Sequence, residues 1–216
     1  MVSKKDSKGV IISLCDRTGS MVEPWASAGW ECLCIDVQHS MQTDKIKDNI
    51  TKHWEDVRNL TPAGLPKPAA IFAFPPCTHL ASSGARWFKR KGLRAYIDGL
   101  ELIDKCRELC EWFGCPWMIE NPIGRLSTAW RKPDSMFQPW EYGDLWRKRT
   151  CLWHGGGFKM PKPTHKEEPE GVTDLIWRMA PGPERANKRS ITPPGFAKAV
   201  FKANRKVVEK YESATR

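Results

Sequence analysis

The sequence predicts an α/β fold, an open sheet with flanking helices, and three observations carry that expectation. Short β-branched, apolar runs alternate with helical segments along the chain, the pattern of βαβ units. The first unit reads strand, glycine turn, helix, strand, acid, which is the order of nucleotide-binding α/β proteins. Two later apolar runs end on prolines and polar side chains, Pro75-Pro76-Cys77 and Glu120-Asn121-Pro122, where open α/β sheets put their ligand-binding groups. At 216 residues, one domain spanning 1–216 can bury a sizeable core without disulfides or metals.

Each element has its own justification. "GVIISLC" is a buried-strand run, and "DRTGS" after it is a turn in which Gly19 can adopt positive φ. "MVEPWASAG" is a short helix with Pro24 in its first turn and Gly29 at its end. "WECLCID" is a second strand closing on Asp36, an acid able to accept from ribose hydroxyls; α/β proteins without a cofactor show the same arrangement, so both readings stay open on this motif alone. The polar segment that follows is expected to be helical from about Asp44 to Arg58, then a Pro/Gly-rich linker. "AAIFAF" is a strand, "RWFKRKGLRAYIDGLELIDKCRELCEWFG" a long helix, and "CPWMIENP" a short strand. "SMFQPWEYGDLWRKRTCLWHGGG" suggests a strand or hairpin with "TCLW" buried. The tail from Pro193 is a helix, with prolines at its start and apolar Phe196, Val200, Phe201 and Val207. Residues 1–9 read as a flexible terminus and 154–190 as an irregular insert.

A net charge of +10 favours an anionic partner, nucleic acid or nucleotide ahead of membrane, since no basic amphipathic helix stands out. Neither a signal peptide nor a membrane span is expected, which points to the cytoplasm. The eight cysteines form no CxxC pair, so reduced thiols are expected, and Cys106, Cys110, Cys115 and Cys151 read as core rather than metal ligands. The eleven tryptophans could stack on bases or simply pack.

The chemistry concentrates at two strand ends. Pro75 and Pro76 donate no backbone hydrogen bonds and restrict the chain, so the thiol of Cys77 is held in a fixed orientation. A thiolate beside a carboxylic acid, here Glu120, can add to an electron-poor ring while the acid engages a ring nitrogen. His79 alternates away from Cys77 on an extended segment and is not expected to activate it. Arg86, Lys89, Arg90, Lys91 and Arg94, interleaved with Trp87 and Phe88, are candidates for phosphate contacts or a solvated helix face.

The ordered set "SLCDRTGSMVEPWASAGWECLCID", "FPPC", "IENP", "YGDLWRKRTCLW" and "ITPPGFAKAV" resembles the motifs of cytosine carbon-5 DNA methyltransferases, in particular short phage-type members, over roughly residues 10–203. The resemblance implies a Rossmann-like domain that binds S-adenosylmethionine at the first βαβ unit and methylates cytosine. Cys77 would attack carbon 6, Glu120 and Asn121 would engage the base, and Arg147 and Arg149 would hold it or order the site. Asp16, Gly19, Asp36 and Pro75 would line the cofactor.

Two departures stand out. The family's Asp-x-Phe-x-Gly-x-Gly is here Ser13 to Gly19 with the second glycine alone, and the insert is too short for the family's target-recognition domain. Recognition of DNA is then weak, delegated to a partner or second subunit, or unnecessary because the substrate is a free deoxycytidine nucleotide. A non-catalytic nucleic-acid-binding relic and an amino-methyltransferase are the remaining readings, the latter lacking an acid or amide before the prolines, where Phe74 stands.

Overall fold

The computed structural model describes residues 7–42, 44–180, 182 and 184–215. The terminus expected to be flexible therefore lies mostly outside the described residues. Eight strands form one sheet: β1 (Val10–Leu14), β2 (Glu31–Ile35), β3 (Lys45–Lys47), β4 (Ile50–His53), β5 (Pro68–Ala73), β6 (Trp117–Pro122), β7 (Ser135–Phe137) and β8 (Thr150–Gly155), in the order β3-β4-β2-β1-β5-β6-β8-β7. β1, β2, β4, β5 and β6 run parallel, and β3, β7 and β8 pair antiparallel to their neighbours. The parallel strands thus lie β4-β2-β1-β5-β6, the Rossmann-like succession in which strand order reverses between β1 and β5. Ligands of such sheets sit outside the carboxyl ends at that reversal.

Helices cover both faces because successive strand residues point to opposite sides. Ile11, Ala70, Phe72, Met118 and Leu152 pack with Trp25 of α1 (Glu23–Ser27) and with Phe196 and Val200 of α6 (Pro194–Thr215). Ile12, Ile71, Ala73 and Ile119 pack on the other face with Ile103, Cys106 and Leu109 of α2 (Phe88–Phe113) and Leu126 of α3 (Leu126–Ala129). Every residue of β5 is buried, as expected of a central strand covered on both sides. Between β8 and α6 lie two short helices, α4 (Leu175–Arg178) and α5 (Arg185–Ser190). Among the described residues, no helix is long and apolar enough to cross a membrane.

The helix expected over Asp44 to Arg58 is overturned: this stretch holds the β3–β4 hairpin. Its turn is Asp48-Asn49, with φ of 51° and 65°, a pair of residue types that tolerate the left-handed region which a two-residue hairpin turn demands. Pairing of β4 along Cys32–Ile35 of β2 satisfies its backbone groups and overrides weak helical periodicity. The long helix also starts later than the sequence suggests. Ser82–Trp87 is a 3-10 turn, and Gly92, with φ of 77°, kinks the first part of α2.

Candidate active site

The chain beyond β5 and the chain beyond β6 are built as one unit. Phe74 N still donates to Leu14 O at 2.9 Å, after which Pro75 and Pro76 end the pairing. The carbonyl of Cys77 then accepts from Leu80 N at 3.0 Å and Ala81 N at 2.9 Å, which folds the segment into a tight turn. Asn121, fully buried at the end of β6, donates from Nδ2 to Pro75 O at 2.9 Å. Ser82 N donates to Ile123 O and Arg125 N to Leu80 O, both at 2.9 Å. Gly124 sits inside this stitching, where a Cβ would lie 2.1 Å from Leu80 O; the approach of the two backbones admits only glycine.

Cys77, beyond β5, and Glu120, near the end of the adjacent β6, therefore lie within electrostatic reach of one another. Burial pushes the Cys77 thiol up from its ordinary value, and the carboxylate of Glu120 adds to that. Lys148 and Arg189 pull it back down. Lys148 Nζ donates to Glu120 Oε1 at 3.2 Å, a pair whose side chains are only 17% and 16% exposed. The backbone N of Lys148 is held in turn by Gln138 Oε1 at 3.0 Å. The arrangement offers a positioned thiol, a carboxyl group able to engage a ring nitrogen and a lysine paired with that carboxyl group.

The arginines expected at the base are placed differently. Arg147 bonds Glu168 and, at 3.0 Å, Asp174, so its guanidinium serves the β8–α6 segment. Arg149 is exposed, and its charge is felt by Cys151. The cation on Glu120 is Lys148, which lies between them. Arg86, Lys89 and Arg90 are exposed, with Arg86 and Arg90 stacked 5.1 and 5.2 Å from the Trp87 ring centroid. His79 packs beneath Gly99 of α2, where a Cβ would lie 3.4 Å from the His79 Cβ.

The turn after β1 is held by its own aspartate. Asp16 accepts from Ser13 Oγ at 2.7 Å, Thr18 N at 3.0 Å and Gly19 N at 2.7 Å, so both its oxygens are taken by the loop. Gly19 adopts φ of 80°, as a glycine turn requires. Asp36, beyond β2, is buried and accepts Gln38 N at 2.7 Å through one oxygen. Burial raises its pKa, and the Gln38 N–H opposes that rise. His39 ties the two loops together, its ring nitrogens 3.2 Å from Arg17 O and 2.9 Å from His53 O. Asp16 thus organises the cofactor-type loop, while Asp36 keeps an oxygen that makes no hydrogen bond among the described residues and fits a hydroxyl pair such as that of a ribose.

Gly124, Lys148 and Arg189 escape a sequence reading. Gly124 needs no special φ, Lys148 is one basic residue among three, and Arg189 belongs to a segment with no motif. One signal was available for Gly124: a glycine three residues past a strand-end amide, facing a second proline-bounded strand end.

No protein-family model matches this chain, and no curated protein matches it. Among solved structures, the glycopeptide N-methyltransferase MtfA is similar at 14% identity with a TM-score of 0.32, over 55% of this chain and 49% of that one. The match thus spans about half the length of that protein.

Proposed function

We propose that this chain is an S-adenosylmethionine-dependent methyltransferase acting on carbon 5 of cytosine, with Cys77 as the nucleophile. The observation that supports it most directly is the fusion of the two strand ends that bear Cys77 and Glu120 through Asn121 and Gly124. A nucleophile and an acid held on one rigid unit are what addition to a heterocycle requires. Bond formation between the Cys77 thiolate and carbon 6 pushes the ring electrons toward carbon 5 and N3, while Glu120, as the carboxylic acid, gives its proton to N3 and is left as the carboxylate beside Lys148. Once carbon 5 has been alkylated, loss of its proton to a base, with breakage of the Sγ–carbon 6 bond, releases the Cys77 thiolate. Asn121 Oδ1 is buried without a hydrogen-bond partner, an acceptor suited to an exocyclic amine such as that of cytosine.

The loop organised by Asp16 and Gly19, with Asp36, would hold S-adenosylmethionine, which supplies an electrophilic methyl group. The brevity of the β8–α6 segment favours a substrate that needs little sequence reading: a free deoxycytidine nucleotide, or a base flipped from loosely held DNA.

The test is covalent trapping. Protein and S-adenosylmethionine are incubated with 5-fluorocytosine, in DNA and separately as the deoxynucleotide, and intact mass is read. An adduct on Cys77, absent from Cys77→Ala, is expected with one of the two. No adduct with either, in protein shown calorimetrically to bind the cofactor, would remove cytosine carbon-5 chemistry.

A further inference from the structure

The β8–α6 segment is anchored at two points on the carboxyl rim of the sheet. At one end Arg147 holds Glu168 and Asp174, and Trp146 bridges to Thr173, beside the start of β8. At the other, Glu184 meets Arg17 at 3.4 Å in the loop after β1. β8 adjoins β6 and β1 adjoins β5, so the two anchors of this arm flank the ends of β5 and β6, and Arg189 lies within electrostatic reach of Cys77. α5 is the arm's last element before α6.

Arg185 and Arg189 lie four residues apart, on one face of α5, and both are half-buried while Ala186 and Lys188 are exposed. Arg185 Nε is buried without a partner, and neither arginine has an ion pair among the described residues. Burying guanidinium groups without an anion is unfavourable. Around the thiol, Glu120 is neutralised by Lys148, which leaves the nearby charge of Arg189 uncompensated. Arg86 and Arg90, by contrast, are exposed and lie against the Trp87 ring.

We propose that α5 forms a phosphate-binding site near Cys77, in which Arg189, with Arg185 one turn earlier, takes the phosphate of the nucleotide whose base lies at the thiol. The planar guanidinium matches phosphate oxygens two at a time, so the arm supplies anchoring without reading sequence. The site rests on the base-facing role of Cys77 proposed above, and its test is independent of methyl transfer.

The experiment compares alkylation of Cys77 by anionic iodoacetate and by neutral iodoacetamide, followed by peptide mass spectrometry. Both reagents depend equally on the thiolate fraction, so their rate ratio reads the local field. In Arg189→Gln the iodoacetate-to-iodoacetamide ratio is expected to fall about three- to tenfold, and protection of Cys77 from iodoacetate by millimolar inorganic phosphate is expected to vanish. Arg189→Lys should retain part of both, and the exposed Lys202→Gln on α6 should change neither. An unchanged ratio and unchanged phosphate protection in Arg189→Gln, with the melting curve intact, overturn the proposal. Deoxycytidine 5′-monophosphate outperforming deoxycytidine as protectant identifies a free nucleotide, and equal protection by an oligonucleotide with internal phosphates identifies DNA. Failure of fluorocytosine trapping with phosphate protection retained overturns the base assignment and leaves the anion site standing.

Discussion

The two loops that flank the reversal of strand order are fixed by opposite means. The loop after β1 is organised mainly from within: Asp16 gathers Ser13, Thr18 and Gly19 within three residues on either side, with His39 and Glu184 meeting the loop at Arg17. The loop after β5 is held from outside, by Asn121, Ile123, Gly124 and Arg125, more than forty positions away in sequence. A local clamp can adjust to a ligand without disturbing its neighbours. A clamp between two strand ends fixes two chemical groups relative to each other, as the nucleophile–acid pair proposed here would require and a proposed cofactor loop would not.

The largest expected effect separates these two designs through their glycines. Gly124→Ala drives a Cβ to 2.1 Å from Leu80 O, and because the contact is backbone to backbone, neither side can move without opening the loop pair. A loss of more than about 3 kcal/mol is expected, with methyl transfer abolished, read by urea denaturation and activity together. Gly19→Ala makes only ordinary contacts, with Cys34 Sγ at 3.5 Å and Ile50 Cγ2 at 3.6 Å, and strains its φ of 80°; about 1–2 kcal/mol is expected there. Equal costs at the two positions would erase the distinction between the loops.

Asp16→Ala comes between. It strips the acceptor from a buried hydroxyl and two backbone N–H groups, and about 2–3 kcal/mol of stability should be lost. Because the damage is local, the alkylation rate of Cys77 should hardly change while S-adenosylmethionine affinity, measured by calorimetry, falls steeply. A large change at Cys77 would mean that the two loops are coupled.

The same contrast explains what the sequence discloses. The first loop is legible because Asp, Thr, Gly and the strands around them lie within one short window, and turn chemistry acts at that range. Cys77 and Glu120 are legible as strand ends, since apolar runs terminated by prolines can be read along the chain. Their joining is not, because Gly124 is demanded by Leu80, a contact made only once β5 and β6 pair. The β3–β4 hairpin fails for a related reason: its ladder partner is β2, and pairing with Cys32–Ile35 outweighs the local pattern of Asp44 to Arg58. Lys148 could be found only as a member of "RKRT", and which of the three cations meets Glu120 is decided by β8 running antiparallel to β6.

The smallest effect concerns charge alone and tests whether the second loop is a coupled electrostatic unit. The Cys77 thiol is pushed up by burial first and Glu120 second, against Lys148 and Arg189, so its alkylation by iodoacetamide should reach half-maximal rate above the pH of a free cysteine. Removing the carboxylate in Glu120→Gln should move that midpoint down, and Lys148→Gln should move it up. Stability follows the same sign. Below the free-thiol value both folded and unfolded chains keep the proton and nothing is lost. Between that value and the raised one, the unfolded chain releases a proton that the native chain retains, so stability falls as pH rises through this window. Cys77→Ala should lessen the alkaline loss, leaving the part due to the other buried thiols, among them Cys32 and Cys115, each pushed up to about 12. Midpoints that ignore both substitutions would mean that neither the Glu120 nor the Lys148 charge is felt at the thiol, and the second loop would then position its groups by geometry without tuning them.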